Sequence, residues 1–197
     1  SILRQKLGIP IQHYVRFEFE SFKDVVDALG GLEITVDCWV FDEIEAEDLF
    51  INLAPGIHLI DGEQALAYVR TRRAGGDLER VRRQQRVVWA LRRQFLEQNL
   101  LPRIPALYSS LSSAEDTDLG LFDIVRLAQF GMNVSEDNVH GLVIAPPDLI
   151  EQDFRSGLFV FNANWPLISS TIETVFERPP FSDTNTVGPG GDQPYCP

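Results

Sequence analysis

Few of the side chains that usually bind metals or carry redox chemistry are present: the 197 residues include two cysteines and three histidines. His13, His58 and His140 fall in separate segments without an i, i+4 pair, which argues against a metal or triad role. Cys38 lies in a strand-like stretch and Cys196 one residue from the end. They fit no zinc pattern, and both a disulfide formed in an oxidising compartment and two unrelated thiols stay open. No run approaches the roughly 18 apolar residues of a membrane span, and the opening SILRQKLGIP lacks the apolar stretch of a secretion signal, so an exported protein would carry its targeting segment outside this chain. Neither a nucleotide-binding Gly-rich loop nor a repeat of about 20–50 residues is found. Positive charge is scarce too: 17 Lys+Arg stand against 29 Asp+Glu, a net charge of -12. That balance argues against nucleic acid as the main partner, because such binding rests on a broad basic face. With 44% apolar residues the chain can still build one core.

Strand-like and helix-like stretches alternate, as in a layered α/β fold. SILRQKLGI predicts one or two helical turns, and HYVRFEF alternates like a half-buried strand. SFKDVVDALGG predicts a helix with Ser21 as N-cap and Gly30-Gly31 as its stop. LEITVDCWV predicts a strand. INLAPGIHLIDGEQALAYVRTR predicts a short strand, turns at Pro55-Gly56 and Asp61-Gly62, and a brief helix carrying Gln64 to Tyr68. After the Gly75-Gly76 loop comes a long helix from about Asp77 to Asn99. Further helices are expected in IPALYSSL, GLFDIVRLAQFGMNV and WPLISSTIETVF, and a strand in NVHGLVIAP. The domain is expected over residues 1–178, with a Pro/Gly-rich tail or linker over 179–197.

The scarce positive charge is gathered in one place. Between Arg70 and Arg93 stand nine arginines against Asp77 and Glu79, a local excess of +7 in a chain of -12. On a helix advancing about 100° per residue, Val81, Val88, Leu91 and Phe95 share an arc, read as the buried face. Asp77, Arg80 and Gln84 fall in that arc, and Arg83 near its edge. Arg82, Arg86 and Arg93 fall opposite, as a solvated face would. An unpaired buried charge is costly, so Asp77 as N-cap with Arg80 in an internal ion pair is the plain structural alternative. Arg70 and Arg72 alternate just before the loop, and with Arg80 and Gln84 they can converge at a helix N-terminus, where an anion is favoured. Planar guanidinium forks suit carboxylate or phosphate, and several around one point suit a pyrophosphate.

The run GIHLIDGEQALAYVRTRRAGGDLERVRRQQ resembles the hallmark of the LytR-CpsA-Psr family. Gly56, Gly62, Ala65, Leu66, Tyr68, Arg70 and Arg72 match its first part, and Asp77, Arg80, Arg83 and Gln84 its second; Ile60 replaces a common leucine. YVRFEFESFKDVVDALGGLEITV is similar to the family's upstream passage. The resemblance covers roughly residues 1–178 and is most specific between 56 and 84.

That resemblance implies an α/β/α sandwich with a central mixed sheet flanked by helices, apparently lacking the domain's N-terminal strands. It implies a membrane-anchored, extracytoplasmic bacterial phosphotransferase that moves a glycopolymer such as teichoic acid from a polyprenyl-pyrophosphate carrier to peptidoglycan. Arg70, Arg72, Arg80, Arg83 and Gln84 are then expected to bind the pyrophosphate. Arg70, Arg72, Asp77 and Arg80 carry catalysis, with Asp77 orienting an arginine or assisting the acceptor hydroxyl. Mg2+ or Mn2+ is expected to assist, with no metal ligand in this chain and its ligands in a missing N-terminal portion, with that portion as a separate chain among the expected partners. The carrier's polyprenyl chain is expected in an apolar tunnel between sheet and helices. The rival readings are a non-catalytic polyprenyl-phosphate or glycan binding module of the same fold, a basic helix for nucleic acid, and a purely structural salt-bridge network.

Overall fold

The structure, a computed structural model, describes residues 2–7, 11–16, 18–73, 75–97, 116–135 and 138–175. The expected IPALYSSL helix, the tail and Cys196 lie outside them. Six α-helices are present among the described residues: α1 Ile2–Leu7, α2 Phe19–Ala28, α3 Gly62–Arg70, α4 Gly76–Glu97, α5 Leu121–Asn133 and α6 Trp165–Glu173. The strands pair two by two, all antiparallel. β1 Val15–Arg16 pairs with β6 Asp116–Thr117, and β2 Leu32–Val36 with β5 Gly56–Ile60. β3 Val40–Ile44 pairs with β4 Leu49–Leu53, and β7 Ile150–Arg155 with β8 Leu158–Ala163. The α/β class stands, and its strands form four separate ladders among the described residues.

Alternation positions the main core. Leu32, Ile34 and Val36 of β2 and Leu49, Ile51 and Leu53 of β4 turn to one side, where they meet Val26 of α2, Ala65 to Tyr68 of α3, and Val87 and Ala90 of α4. A second cluster joins Leu149, Ile150 and Ile168, with Leu7 of α1 and Trp165 of α6 packed against it. Gly62 shows how closely α2 and α3 meet: a Cβ there would collide with the Lys23 backbone, and its N–H donates to Asp27 Oδ1 at 2.7 Å. Asp61 and Gln64 close a capping box at the start of α3, satisfying donors that a helix N-terminus otherwise leaves unpaired.

Several local expectations shift. α2 is capped by Glu18 in extended conformation, and Ser21 lies buried inside the helix rather than at its N-cap. Of the expected HYVRFEF strand, Val15–Arg16 pairs in a ladder and Phe19 opens α2. LEITVDCWV breaks after Val36, and its last residue, Val40, enters a different ladder. The expected NVHGLVIAP strand forms no ladder among the described residues. Its place as a late strand is taken by the β7–β8 hairpin, turned by Ser156 and Gly157, both at positive φ.

Candidate functional site: the arginine-lined entrance of α4

The chain between α3 and α4 is short and tight. Gly76 donates to Arg72 O at 2.8 Å and Gly75 to Arg73 O at 3.2 Å. Gly75 has φ +88°, and a Cβ there would meet the Glu79 side chain, so the position calls for glycine on both counts. Arg70, Arg72 and Arg73 precede this turn, and Asp77 and Arg80 follow it on the first turns of α4.

Arg72 and Arg80 are brought together by one carboxylate oxygen. Arg72 Nε lies 3.3 Å and Arg80 Nη2 2.8 Å from Asp77 Oδ1. The Arg72 side chain is 66% exposed and that of Arg80 20%. Arg80 Nε is buried without a hydrogen-bond partner, a state that costs about 1–3 kcal/mol until an acceptor reaches it. Arg70 is engaged by Glu47 through both Nε and Nη2, and its guanidinium stacks 4.7 Å from the Phe19 ring centroid. That bond to Glu47 holds the Arg70 guanidinium above its ordinary value, against the opposing effect of burial. Arg73 reaches Asp42 at 3.9 Å, and Asp42 also accepts from Thr71 Oγ1. Four arginines (70, 72, 73, 80) thus face three carboxylates (42, 47, 77), a local excess of one positive charge.

Arg83 belongs elsewhere. Only 3% exposed, it donates from Nε to Tyr68 O at 3.0 Å and from Nη2 to Thr71 O, closing the C-terminus of α3. Gln84 is exposed and donates to Val69 O at 3.3 Å. Arg86 is buried and paired with Asp37, beside the buried Tyr68 ring. Burial pushes the Tyr68 phenol up, against the nearby Arg86 charge, so it stays neutral. Burial also pulls the Arg83 guanidinium down.

These positions correct the helical-face reading. The face of α4 turned to the core carries Glu79, Arg83, Arg86, Val87 and Ala90, almost opposite the expected arc, while Val88 is 67% exposed. The aliphatic stripe is real but serves mostly another surface: Leu91, which also packs against the main core, and Phe95 line an apolar cleft of about 290 Å³ with Ala128, Gly131 and Met132 of α5. The core-facing side is polar because it satisfies backbone groups at helix ends. Arg83 serves α3 and Gln94 donates to Leu29 O and Gly31 O after α2, while on the cleft side Arg92 donates to Val134 O after α5. Cationic and amide donors at helix C-termini complete orphan carbonyls and oppose the helix dipole. Arg82 and Arg93, expected in solvent, pair with Glu79 and Glu33.

Sequence reading also passed over Asp37, Asp42 and Glu47, the carboxylates that hold these arginines. The acidic run DEIEAED at 42–48 carried the signal, as the nearest concentrated counter-charge to the arginine run.

Fold and site together define an α/β domain whose longest described helix opens on an arginine-lined turn. The chain belongs to the LytR-CpsA-Psr family, whose model, the LytR_cpsA_psr family, matches residues 1–174. It is 33% identical over 130 residues to TagT of Bacillus subtilis (strain 168), a polyisoprenyl-teichoic acid–peptidoglycan teichoic acid transferase, covering 65% of this chain and 40% of TagT. It is 28% identical over 187 residues to TagV of the same organism, also named as such a transferase, covering 91% of this chain and 47% of TagV. The crystal structure of B. subtilis TagV superposes with a TM-score of 0.70 at 23% identity, over 90% of this chain and 69% of that one. TagT bound to LIIa-WTA gives 0.64 at 25% identity, over 89% of this chain and 66% of that one. The chain spans less than half the length of these curated relatives.

Proposed function

We propose that this chain is part of an extracytoplasmic transferase that moves a glycopolymer from a polyprenyl-pyrophosphate carrier to peptidoglycan. The observation that carries the reading is the sharing of Asp77 Oδ1 by Arg72 and Arg80 at the start of a 22-residue helix. Two guanidiniums preset side by side, one with a buried donor still lacking an acceptor, suit the oxygens of a diphosphate. Arg70 adds a third cation, steadied by Glu47. Gln84 lies a turn further along α4, and Arg83 acts beneath, by fixing the end of α3 from which Arg70 projects.

Phosphoryl transfer asks the protein mainly for positioning and charge stabilisation. In the proposed reaction an acceptor hydroxyl oxygen of the wall bonds to the glycan-bearing phosphorus. The bond from that phosphorus to the bridging oxygen breaks, and polyprenyl phosphate leaves with the electron pair. Arg72 and Arg80 stabilise the charge growing on that oxygen. Asp77 orients both arginines, and it is the candidate acceptor for the hydroxyl proton. Magnesium or manganese belongs to the proposal with no ligand assigned in this chain. Asp42, Glu47 and Asp77 already serve arginines or a threonine, and no group of three His, Cys, Asp or Glu suits a metal among the described residues. No step is routed through the ion.

Two further observations support the reading. The α4–α5 cleft is lined almost wholly by apolar side chains and starts at Leu91, eleven residues or about 16 Å along the helix from Arg80, a span that suits a prenyl chain whose head is held at the arginines. Cys38 is disulfide-bonded, as expected outside the cytoplasm. Membrane attachment of the whole protein remains part of the proposal, since no described helix is long and apolar enough to cross a membrane.

The test is a titration of a short prenyl pyrophosphate, with magnesium, against the chain and its Arg80→Ala variant. Saturable binding that weakens about tenfold or more in a variant of unchanged melting temperature is expected. Equal binding by both would sink the assignment. Turnover then separates a transferase from a binding module of the same fold, since only the former releases polyprenyl phosphate.

A further inference from the structure

Three elements meet at one guanidinium. Arg70 is the last residue of α3. Glu47 sits in the short turn of residues 45–48 that joins β3 to β4, closed by Asp48 at φ +52°. Phe19, the first residue of α2, is 45% exposed and has no place in either apolar cluster. The ion pair between Arg70 and Glu47 is anchored on both sides: Leu49 follows the turn, Tyr68 precedes Arg70, and both lie buried in the main core.

Glu47 Oε2 accepts from Arg70 Nε at 2.8 Å, and Oε1 accepts from Nη2. This bidentate contact fills the side-on edge of the guanidinium, while the Phe19 ring, its centroid 4.7 Å from Cζ, covers one face. What this leaves for a ligand, among the described residues, is the end-on fork of Nη1 and the second Nη2 hydrogen, which matches two oxygens of a phosphate. A carboxylate set against a phosphate-binding arginine lowers the local positive charge, so attraction is not what it adds. It adds direction: with one edge and one face occupied, the end-on fork keeps its plane. Arg72, 66% exposed and 3.3 Å from Asp77 through Nε alone, has no such frame. An exposed ion pair ordinarily contributes little, but this one is bidentate, stacked and anchored at both ends. It removes beforehand rotamer freedom that binding would otherwise have to remove.

We infer that Glu47 and Phe19 are positioning residues for Arg70, fixing the plane of its end-on fork so that it meets the oxygens of a diphosphate already oriented. The inference rests on the proposed pyrophosphate site and names two residues that act on it through Arg70 alone. Charge by itself leads to the opposite expectation, since Glu47 would repel the ligand and its removal would tighten binding. The test is a double-mutant cycle on the full chain. Prenyl pyrophosphate affinity, with magnesium present, and melting temperature are measured for Glu47→Gln, Phe19→Leu, Arg70→Ala and the two pairs that include Arg70→Ala.

Glu47→Gln keeps the size of the side chain and loses its negative charge. It is expected to weaken binding about fivefold or more, and Phe19→Leu about two- to threefold, each at unchanged melting temperature. In the Arg70→Ala background neither change is expected to weaken binding further, because each acts through that guanidinium. Damage to the fold at large would carry over into that background, so additive losses overturn the inference. Tighter or unchanged binding by Glu47→Gln overturns it as well. If Glu47→Gln melts early, the Phe19→Leu cycle decides by the same criterion. Arg80→Ala separates this failure from failure of the site itself. Binding that is lost in Arg80→Ala and kept in Glu47→Gln removes the positioning role only, whereas no saturable binding by the folded, unaltered chain, or binding indifferent to Arg80, removes both.

Discussion

The arginines at the entrance of α4 and those along its middle are one residue type within one stretch of chain, yet they are held in opposite ways. Arg83 and Arg86 are buried, bonded to the end of α3 and to Asp37. Arg72 and Arg80 lie near the surface and share one carboxylate oxygen. The first pair resembles a set of rivets, with every neighbour fixed by the fold. The second is a preset fork, where a further anion can be added without dismantling the core. A high local count of arginine is therefore two signals superimposed, one structural and one available for chemistry.

The sharpest way to break this comparison is at the buried end. Arg86→Ala removes a buried guanidinium paired with Asp37 and is expected to cost about 3–5 kcal/mol, read as a large fall in melting temperature or denaturant midpoint. Arg83→Lys keeps the charge but loses the planar fork that reaches two carbonyls. It is expected to cost about 1–3 kcal/mol, and an unfolding midpoint equal to that of the unaltered chain would contradict its role in closing α3.

At the open end the order reverses. Arg72→Ala is expected to change stability by at most about 1 kcal/mol, as for a surface ion pair, while weakening prenyl pyrophosphate binding severalfold in calorimetry. Asp77→Asn sharpens the point. If Asp77 aligns the two guanidiniums, its loss weakens binding despite the removal of a negative charge, whereas tighter binding would mean that it merely competes with the ligand.

The smallest effect is in acid. Arg155, then Asn162 and the Phe154 N–H, hold the Asp153 carboxyl below its ordinary value of 3.8. A lowered carboxyl adds stability above that ordinary value and loses it as pH falls through the still lower folded value. Asp153→Asn should thus slightly lower stability at neutral pH and flatten its decline below about pH 4.

Much of this was legible in sequence where local chemistry decides. The Gly30-Gly31 stop, α3 behind Asp61-Gly62, the glycine turn before α4, and the helices α5 and α6 all follow from caps, breakers and periodicity. The motif also groups Arg72, Asp77 and Arg80, whose side chains are in contact in the structure. The orientation of α4 was not legible. Apolar periodicity gave the Val81–Phe95 stripe, which faces the α5 cleft and solvent and meets the main core only at Leu91. The true core face is written in arginine, glutamine and glutamate, whose partners are backbone carbonyls and carboxylates distant along the chain. No single-helix pattern contains those partners. The β7–β8 hairpin was missed for a simpler reason: its Ser156-Gly157 turn lies among charged residues that mask the alternation.

The most direct test of the two-signal account is one paired experiment, measuring melting temperature and prenyl pyrophosphate affinity on Arg80→Ala and Arg83→Lys side by side. The account predicts that Arg80→Ala loses affinity with its melting temperature kept, and that Arg83→Lys melts earlier while its folded fraction still binds. Equal destabilisation by both, with affinity untouched in Arg80→Ala, would show that the entrance arginines are rivets like the rest.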